Sequence, residues 1–209
     1  HGGINWFDTA EMYGGGRSEQ ELSRALHAAG KNDDEVVVAT KWSPLFRTAG
    51  NIPRTIGDRL RFLDGYTIDL YMIHQPWSFS SPEAEMEAMA GLVEAGKIRS
   101  VGVSNFDVER MRRAHTALEK RGLPLAVNQV HYSLLQRGIE SNGVLDAARD
   151  LGITIIAWQP LGAGILTGKF HKDPDRLKQA PFVRRMMLQR ELERSQPLIE
   201  VLDQIAAEY

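Results

Sequence analysis

Cysteine is absent from all 209 residues, which excludes disulfide staples, zinc ribbons and a thiol nucleophile together. The same absence fits a reducing cytosol, so the expected location is cytoplasmic. A basic excess is also missing. Twenty-five Lys+Arg stand against 27 Asp+Glu, a formal net charge of −2, so no nucleic-acid partner is expected. No apolar run approaches the length of a membrane span, and no membrane partner is expected either. Neither H-x-x-H nor H-E-x-x-H occurs, which gives no reason to expect a metal.

What is present is a chain that is 43% hydrophobic and 25% charged, enough for one sizeable core rather than a disordered polyampholyte. The strand-like run Ile4–Phe7 follows almost directly on His1, and a helical pattern from Pro197 to Tyr209 stops without a cap. The expectation is one barrel domain spanning 1–209, truncated at both ends. Such a piece would expose two sheet edges and is expected to fold poorly or aggregate when isolated.

Short β-branched runs recur at Ile4–Phe7, Val36–Ala39, Ile68–Ile73, Ser100–Val103, Ala126–Val130 and Ile153–Trp158. Their starts are spaced by roughly 26 to 32 residues, the length of a strand, a helix and two loops. Helices are punctuated between them. Ser18 and Glu21 read as a capping box with Gly30 as the stop; Ser81-Pro82 reads as a helix start stopped at Gly96; Asp107 reads as the cap of Val108–Arg121, ended by Gly122. Pro174–Arg194 reads as a partly mobile connection of solvated loop and helix.

Strand–helix alternation implies a parallel sheet covered by helices, either an open doubly wound sheet or a (β/α)8 barrel. The strand ends decide between them. They supply Asp8 (with Tyr13 in the glycine-rich loop beyond), Thr40-Lys41, His74-Gln75, Ser104-Asn105, Asn128-Gln129 and Trp158-Gln159. In a barrel all these ends converge on one face, whereas in an open sheet they spread along a line. The expected fold class is therefore α/β, a TIM barrel with about six of its eight units present.

Taken singly, each residue has a plain structural role: Asp8 a turn former, Lys41 a solvated lysine, His74 a core histidine, Tyr13 a packing ring. Together they suit carbonyl reduction, which needs hydride on carbon and a proton on oxygen. Tyr13 can donate the proton, Lys41 can lower the phenol pKa from its ordinary value of about 10, Asp8 can hold Lys41 charged, and His74 can orient the carbonyl.

The blocks Gly3–Gly14 (GINWFDTAEMYG), Val36–Lys41 (VVVATK), Asp69–His74 (DLYMIH), Gly96–Phe106 (GKIRSVGVSNF), Asn128–Ser133 (NQVHYS) and Ile156–Lys169 (IAWQPLGAGILTGK) resemble the aldo-keto reductase family in order and spacing. The resemblance implies an NADP-dependent oxidoreductase acting on a small-molecule carbonyl substrate. It implies a catalytic tetrad of Asp8, Tyr13, Lys41 and His74, with Tyr13 as proton donor. It further implies nicotinamide contacts from Ser104, Asn105 and Gln129, and Trp158 stacked on the nicotinamide ring. Gln159, Leu161, Gly162 and Ala163 would lie along the cofactor, and Lys169 would reach its phosphates. NADPH, rather than NADH, is implied by the family alone.

Gly162–Gly168 has one residue too many for a G-x-G-x-x-G fingerprint and is read as a cofactor loop, not a Rossmann turn. Two other functions are weighed. A potassium-channel β-subunit-like regulatory subunit would keep the cofactor with little turnover. An isomerase or lyase would use Lys41 as a Schiff-base amine, which the nearby Asp8 disfavours. Trp42, Phe46, Trp77 and Phe79 are candidates for an apolar entrance, suggesting small or aromatic aldehydes.

Overall fold

The computed structural model describes residues 2–179 and 181–208, without the side chains of Val183, Arg184 and Met187. By contacts the chain divides into two compact units, 1–130 with 143–156, and 131–142 with 157–209.

The first unit carries the sheet. Strands β1 (Trp6–Asp8), β2 (Val37–Trp42), β3 (Leu70–Ile73), β4 (Ser100–Ser104), β5 (Leu125–His131) and β6 (Thr154–Trp158) lie side by side in chain order. The last residues of β5 and β6 belong to the second unit. The registers from β1 through β5 are all parallel. This order never reverses, as it must at the switch point of a doubly wound sheet. It is the order of an incomplete (β/α)8 barrel, and the barrel expectation holds.

Helices α1 (Arg17–Ala28), α2 (Ile52–Leu63), α3 (Pro82–Glu94), α4 (Val108–Glu119) and α5 (Val144–Asp150) fill the connections. Their apolar faces meet the outward residues of the strands, Val38, Trp42, Tyr71, Ile73, Val101 and Val103 among them, in one buried layer. The alternate residues turn to the other face, where Ala39, Leu70, Met72 and Val127 form a smaller cluster. Gly102 lies against that cluster. A Cβ there would sit 2.5 Å from Val127 Cγ2 and 2.9 Å from Met72 Cγ, so any side chain there would force the inner packing to shift.

Two helix starts follow the sequence reading. Ser81 accepts from the Ala84 N–H and Asp107 from the Arg110 N–H. The Ser18–Glu21 box does not form. The helix begins two residues earlier, with Gly16 at the N-cap position at φ 92°, and the Ser18 hydroxyl accepts instead from Thr9 Oγ1 at 2.8 Å. A buried tertiary partner has taken the side chain that local pattern assigned to the cap.

The second unit holds the short helices α6 (Lys169–Lys172) and α7 (Asp175–Lys178) and the long helix α8 (Phe182–Glu208), packed around Ile165, Phe170, Leu177 and Leu188. Helix α8 corrects two readings. Much of the expected connection from Pro174 is helical, and Pro197 lies inside one continuous helix instead of starting it. Proline has no N–H for the Glu193 carbonyl, but the flanking turns keep the helix whole. Tyr209, placed in that helix from sequence, lies outside the described residues. No helix among them is long and apolar enough to cross a membrane.

Candidate active site

The period of two that separates the two faces of the sheet also sets the site. Counting along β2, Ala39 and Lys41 share the inner face; along β3, Leu70, Met72 and the following His74 do so; on β4 and β5 the inner set ends in Ser104 and Gln129. Each strand therefore closes its apolar inner run with a polar side chain.

These polar ends touch. Asp8 accepts from Lys41 Nζ on one carboxylate oxygen and from Gln129 Nε2 on the other. Lys41 donates a second bond, 2.9 Å, to the Thr9 carbonyl and is 2% exposed. In a flat sheet β1 and β5 would stand about 19 Å apart, four strand spacings. A side-chain bond between them requires the sheet to curl.

Tyr13 reaches the group from the loop after β1. Its ring is 5.6 Å from that of His74, edge to face, and Lys41 Nζ lies 5.3 Å from its centroid. Gly14 and Gly15, at φ 64° and 65°, turn the chain immediately beyond it. Lys41 and His74 are buried while Tyr13 is 44% exposed, so solvent reaches the phenol but not the ammonium or the imidazole.

The electrostatics follow from burial. Desolvation and the Lys41 charge push the His74 pKa down to about 4, so the imidazole is neutral at neutral pH. Its Nδ1 is buried without a hydrogen-bond partner among the described residues. Desolvation also pulls the Lys41 pKa below the usual ammonium value against the opposing pull of Asp8. Tyr13 departs from the sequence expectation. Burial, and then the Asp8 charge, raise its pKa above 10 rather than lower it. Lys41 spends its field on Asp8, and the phenol stays protonated.

Beside this group Ser104 Oγ donates to the Gln129 carbonyl at 2.9 Å, and Asn105 Nδ2 donates to Gln75 Oε1 at 3.1 Å and to Ser104 Oγ at 3.0 Å. The structure thus joins Ser104, Asn105 and Gln129 to the Asp8 cluster. Asn128, next to Gln129, faces the other way and clips the Phe106 backbone through both amide atoms.

In the second unit Trp158 stacks on His131, ring centroids 4.1 Å apart and planes within 13°. Gln159, Leu161, Gly162 and Ala163 follow in a tight loop that coils into the 3-10 turn Gly162–Thr167, and Lys169 folds back over it. A Cβ at Gly164 would lie 3.2 Å from Lys169 Nζ. Among the described residues, five that are not glycine have positive φ: Phe46, Asp64, Asn105, Gln159 and Ala163.

The profile of the Aldo/keto reductase family matches residues 1–209. The chain belongs to the aldo/keto reductase family. Among curated proteins it is 34% identical to the chloroplastic pyridoxal reductase of Arabidopsis thaliana, an alignment covering 98% of this chain and 58% of that protein. Among solved structures it resembles the glycerol dehydrogenase AKR11B4 from Gluconobacter oxydans, with TM-score 0.72 and 34% identity over 82% of this chain and 54% of that one. It also resembles an aldo-keto reductase from Klebsiella pneumoniae in complex with NADPH, with TM-score 0.65 and 32% identity over 80% and 56% of the two chains. This aldo/keto reductase chain therefore spans a little over half the length of these relatives.

Several polar residues around the site escaped the sequence reading. Half-buried Glu11 and buried Arg59 and Glu19 form an ion-pair chain beside β2, and Glu85 is a buried carboxyl beneath the loop after β3. None has a local pattern that marks it. Only Glu11, two residues before Tyr13, had a position that could have drawn notice.

Proposed function

We propose that this aldo/keto reductase chain reduces a small carbonyl compound with hydride from NADPH, Tyr13 giving the proton. The observation that carries the reading is the pair of Asp8 with the buried Lys41, with Tyr13 and His74 against it. When bound, the cofactor supplies the hydride that the carbonyl carbon receives. Tyr13, held protonated, transfers its proton to the carbonyl oxygen. His74, kept neutral by burial, has one N–H to donate to that oxygen without competing as an acid. Lys41 and Asp8 hold fixed charge beside the phenol.

A fit for the cofactor rests on backbone strain. A non-glycine residue at positive φ costs of order 1 kcal/mol, and such residues gather where a ligand is gripped. Three of the five, Asn105, Gln159 and Ala163, are residues that the family resemblance assigns to the cofactor. In the first unit Ser104, Asn105 and Gln129 offer amide and hydroxyl groups suited to the nicotinamide carboxamide. In the second, Trp158 offers a ring face, Gln159 to Ala163 a close-lying backbone, and Lys169 a cation for phosphate.

A Schiff-base role for Lys41 is disfavoured by its tie to Asp8, which favours the charged amine against the pull of desolvation. The rings of Phe46, Trp77 and Phe79 are exposed, which favours small or aromatic aldehydes, whereas Trp42, expected beside them, is buried in the outer core layer. The cysteine-free composition supports a cytoplasmic location, and one barrel domain over 1–209 remains our reading of the chain.

The test is titration with NADPH and, in parallel, NADH, followed by tryptophan emission. A saturable quench that is lost in Trp158→Leu supports cofactor binding. Turnover of a simple aldehyde that is lost in Tyr13→Phe then supports the reductase and excludes a non-catalytic regulatory subunit. A folded chain that stays silent, and stays silent when extended at both ends, overturns the reading.

A further inference from the structure

We propose that Glu11 is a positioning residue that locks the loop bearing Tyr13 onto the strand end bearing Lys41. The proposal rests on and deepens the reductase reading, since it concerns the proposed proton donor, but its geometry stands independently.

Glu11 grips the end of β2 at two points. Its backbone N–H donates to the Lys41 carbonyl at 3.1 Å. Its carboxylate accepts from the Ser43 N–H at 2.9 Å. The same carboxylate accepts from Arg47 Nη1 at 2.7 Å and lies 3.5 Å from Arg59 Nη1. Arg59 Nε in turn stands 3.1 Å from Glu19 Oε2, and Glu19 Oε1 accepts from Thr40 Oγ1 at 2.6 Å. The path Thr40–Glu19–Arg59–Glu11–Ser43 is a closed circuit around the β2 end, with Lys41 on the enclosed stretch. Arg59 and Glu19 are buried, at 4% and 0% side-chain exposure, where water cannot replace a lost partner.

On the far side of Tyr13 the hold is of another kind: the Arg17 N–H donates to the Tyr13 carbonyl and Thr9 Oγ1 to Ser18 Oγ, with three glycines between. Gly14, Gly15 and Gly16 all have positive φ, at 64°, 65° and 92°, and glycines impose the least restraint of any residue. Between Glu11 and the phenol stands only Met12, with the Tyr13 N–H donating to the Ala10 carbonyl at 3.0 Å. The position of the Tyr13 ring against His74 and Lys41 therefore depends on the hold at Glu11, the side of the loop without glycines.

The test reads the tyrosine itself. Protein labelled with 13C at tyrosine Cζ is titrated by NMR, the Tyr13 signal being assigned with Tyr13→Phe. In the wild type this phenol should titrate above its ordinary value of about 10. In Glu11→Ala its resonance should shift and its titration fall back towards that value, with Tyr66 and Tyr132 unmoved. Glu11→Gln keeps an acceptor for the Ser43 N–H but no charge for Arg47 and Arg59, and should fall between; it carries the test where the alanine variant does not fold.

A folded variant whose Tyr13 titration is unchanged overturns the proposal. So does one in which all the tyrosines shift together, which is the mark of general loosening. Aldehyde reduction adds a second readout. The turnover per bound cofactor should drop by about 10- to 100-fold in Glu11→Ala with KM nearly constant, the scale of a misplacement of about 1 Å. Loss of this second arm alone, through an inactive wild type, would count against the reductase reading and leave the NMR result standing.

Discussion

Lys41 is shut in by Asp8: the ammonium donates to that carboxylate and to the Thr9 carbonyl, and the lysine side chain is 2% exposed while the aspartate keeps 30%. The pair is thus unequal. Removing Asp8 strands a charge with no water around it, whereas removing Lys41 leaves a carboxylate that solvent can reach. Asp8→Asn is expected to cost about 3 kcal/mol or more, the scale of breaking a buried pair from one side. Lys41→Met should cost less, and the double variant should be more stable than Asp8→Asn alone. Urea denaturation of the four proteins measures this. Asp8→Asn as stable as wild type would show that the pair does not hold the ammonium in place.

The His74 pKa, about 4, lies below its unfolded value of about 6.5. The unfolded chain therefore binds the extra proton first as the pH falls. This contribution to stability is full above about 6.5 and is lost as the pH drops from there towards 4. Imidazole NMR, assigned with His74→Gln, should show no His74 titration between pH 5 and 8. Proton uptake by His74 near pH 6.5 would mean that the site is open to water.

How much of this was legible follows from the range of each interaction. Asp8, Lys41 and His74 end three apolar runs, and a period of two along a strand is a local signal, so the sequence sufficed to gather them. The parallel order was legible too, because each strand–helix repeat fits one barrel unit. The Glu11–Arg59–Glu19 chain was not, since Arg59 lies on α2 and its carboxylate partners are joined to it only by folding. Nor was the true start of α1. Ser18 satisfies a capping pattern, but Thr9, nine residues back, offers it a better-buried partner. Tyr13 shows the same limit in its chemistry. The sequence set Lys41 near the phenol, but only the fold shows that Asp8 takes up the lysine's charge and that burial raises the tyrosine.

Glu85 opposes His74 in its pH dependence. Burial pushes its carboxyl up to about 7, with Ser78 Oγ hydrogen-bonded to one oxygen and the other unpartnered among the described residues. Its folded pKa exceeds its unfolded one, so its contribution is full below about 4.5 and is lost as the pH rises through 7. Glu85→Gln cannot acquire the buried charge. It should raise the Tm relative to wild type at pH 8 and change it much less at pH 5. Equal effects at both values would show that Glu85 keeps its charge throughout.

His131 and Trp158 offer the last prediction, and it needs no cofactor. The two rings lie nearly parallel at 4.1 Å, and burial holds the His131 pKa below the ordinary 6.5. Neutral imidazole in that position is a stacking partner. Once protonated, it becomes an electron acceptor in contact with the indole and should quench its emission. Trp158 fluorescence, isolated from the chain's four tryptophans as the difference between wild type and Trp158→Leu, should therefore fall as the pH drops below 6.5. The transition should vanish in His131→Phe, which keeps a ring in the stack but has no proton to gain. An unchanged transition in that variant would assign the quench to another group. A transition that disappears would show that the indole's surroundings are set by His131, and with them one side of the ring proposed to face the nicotinamide.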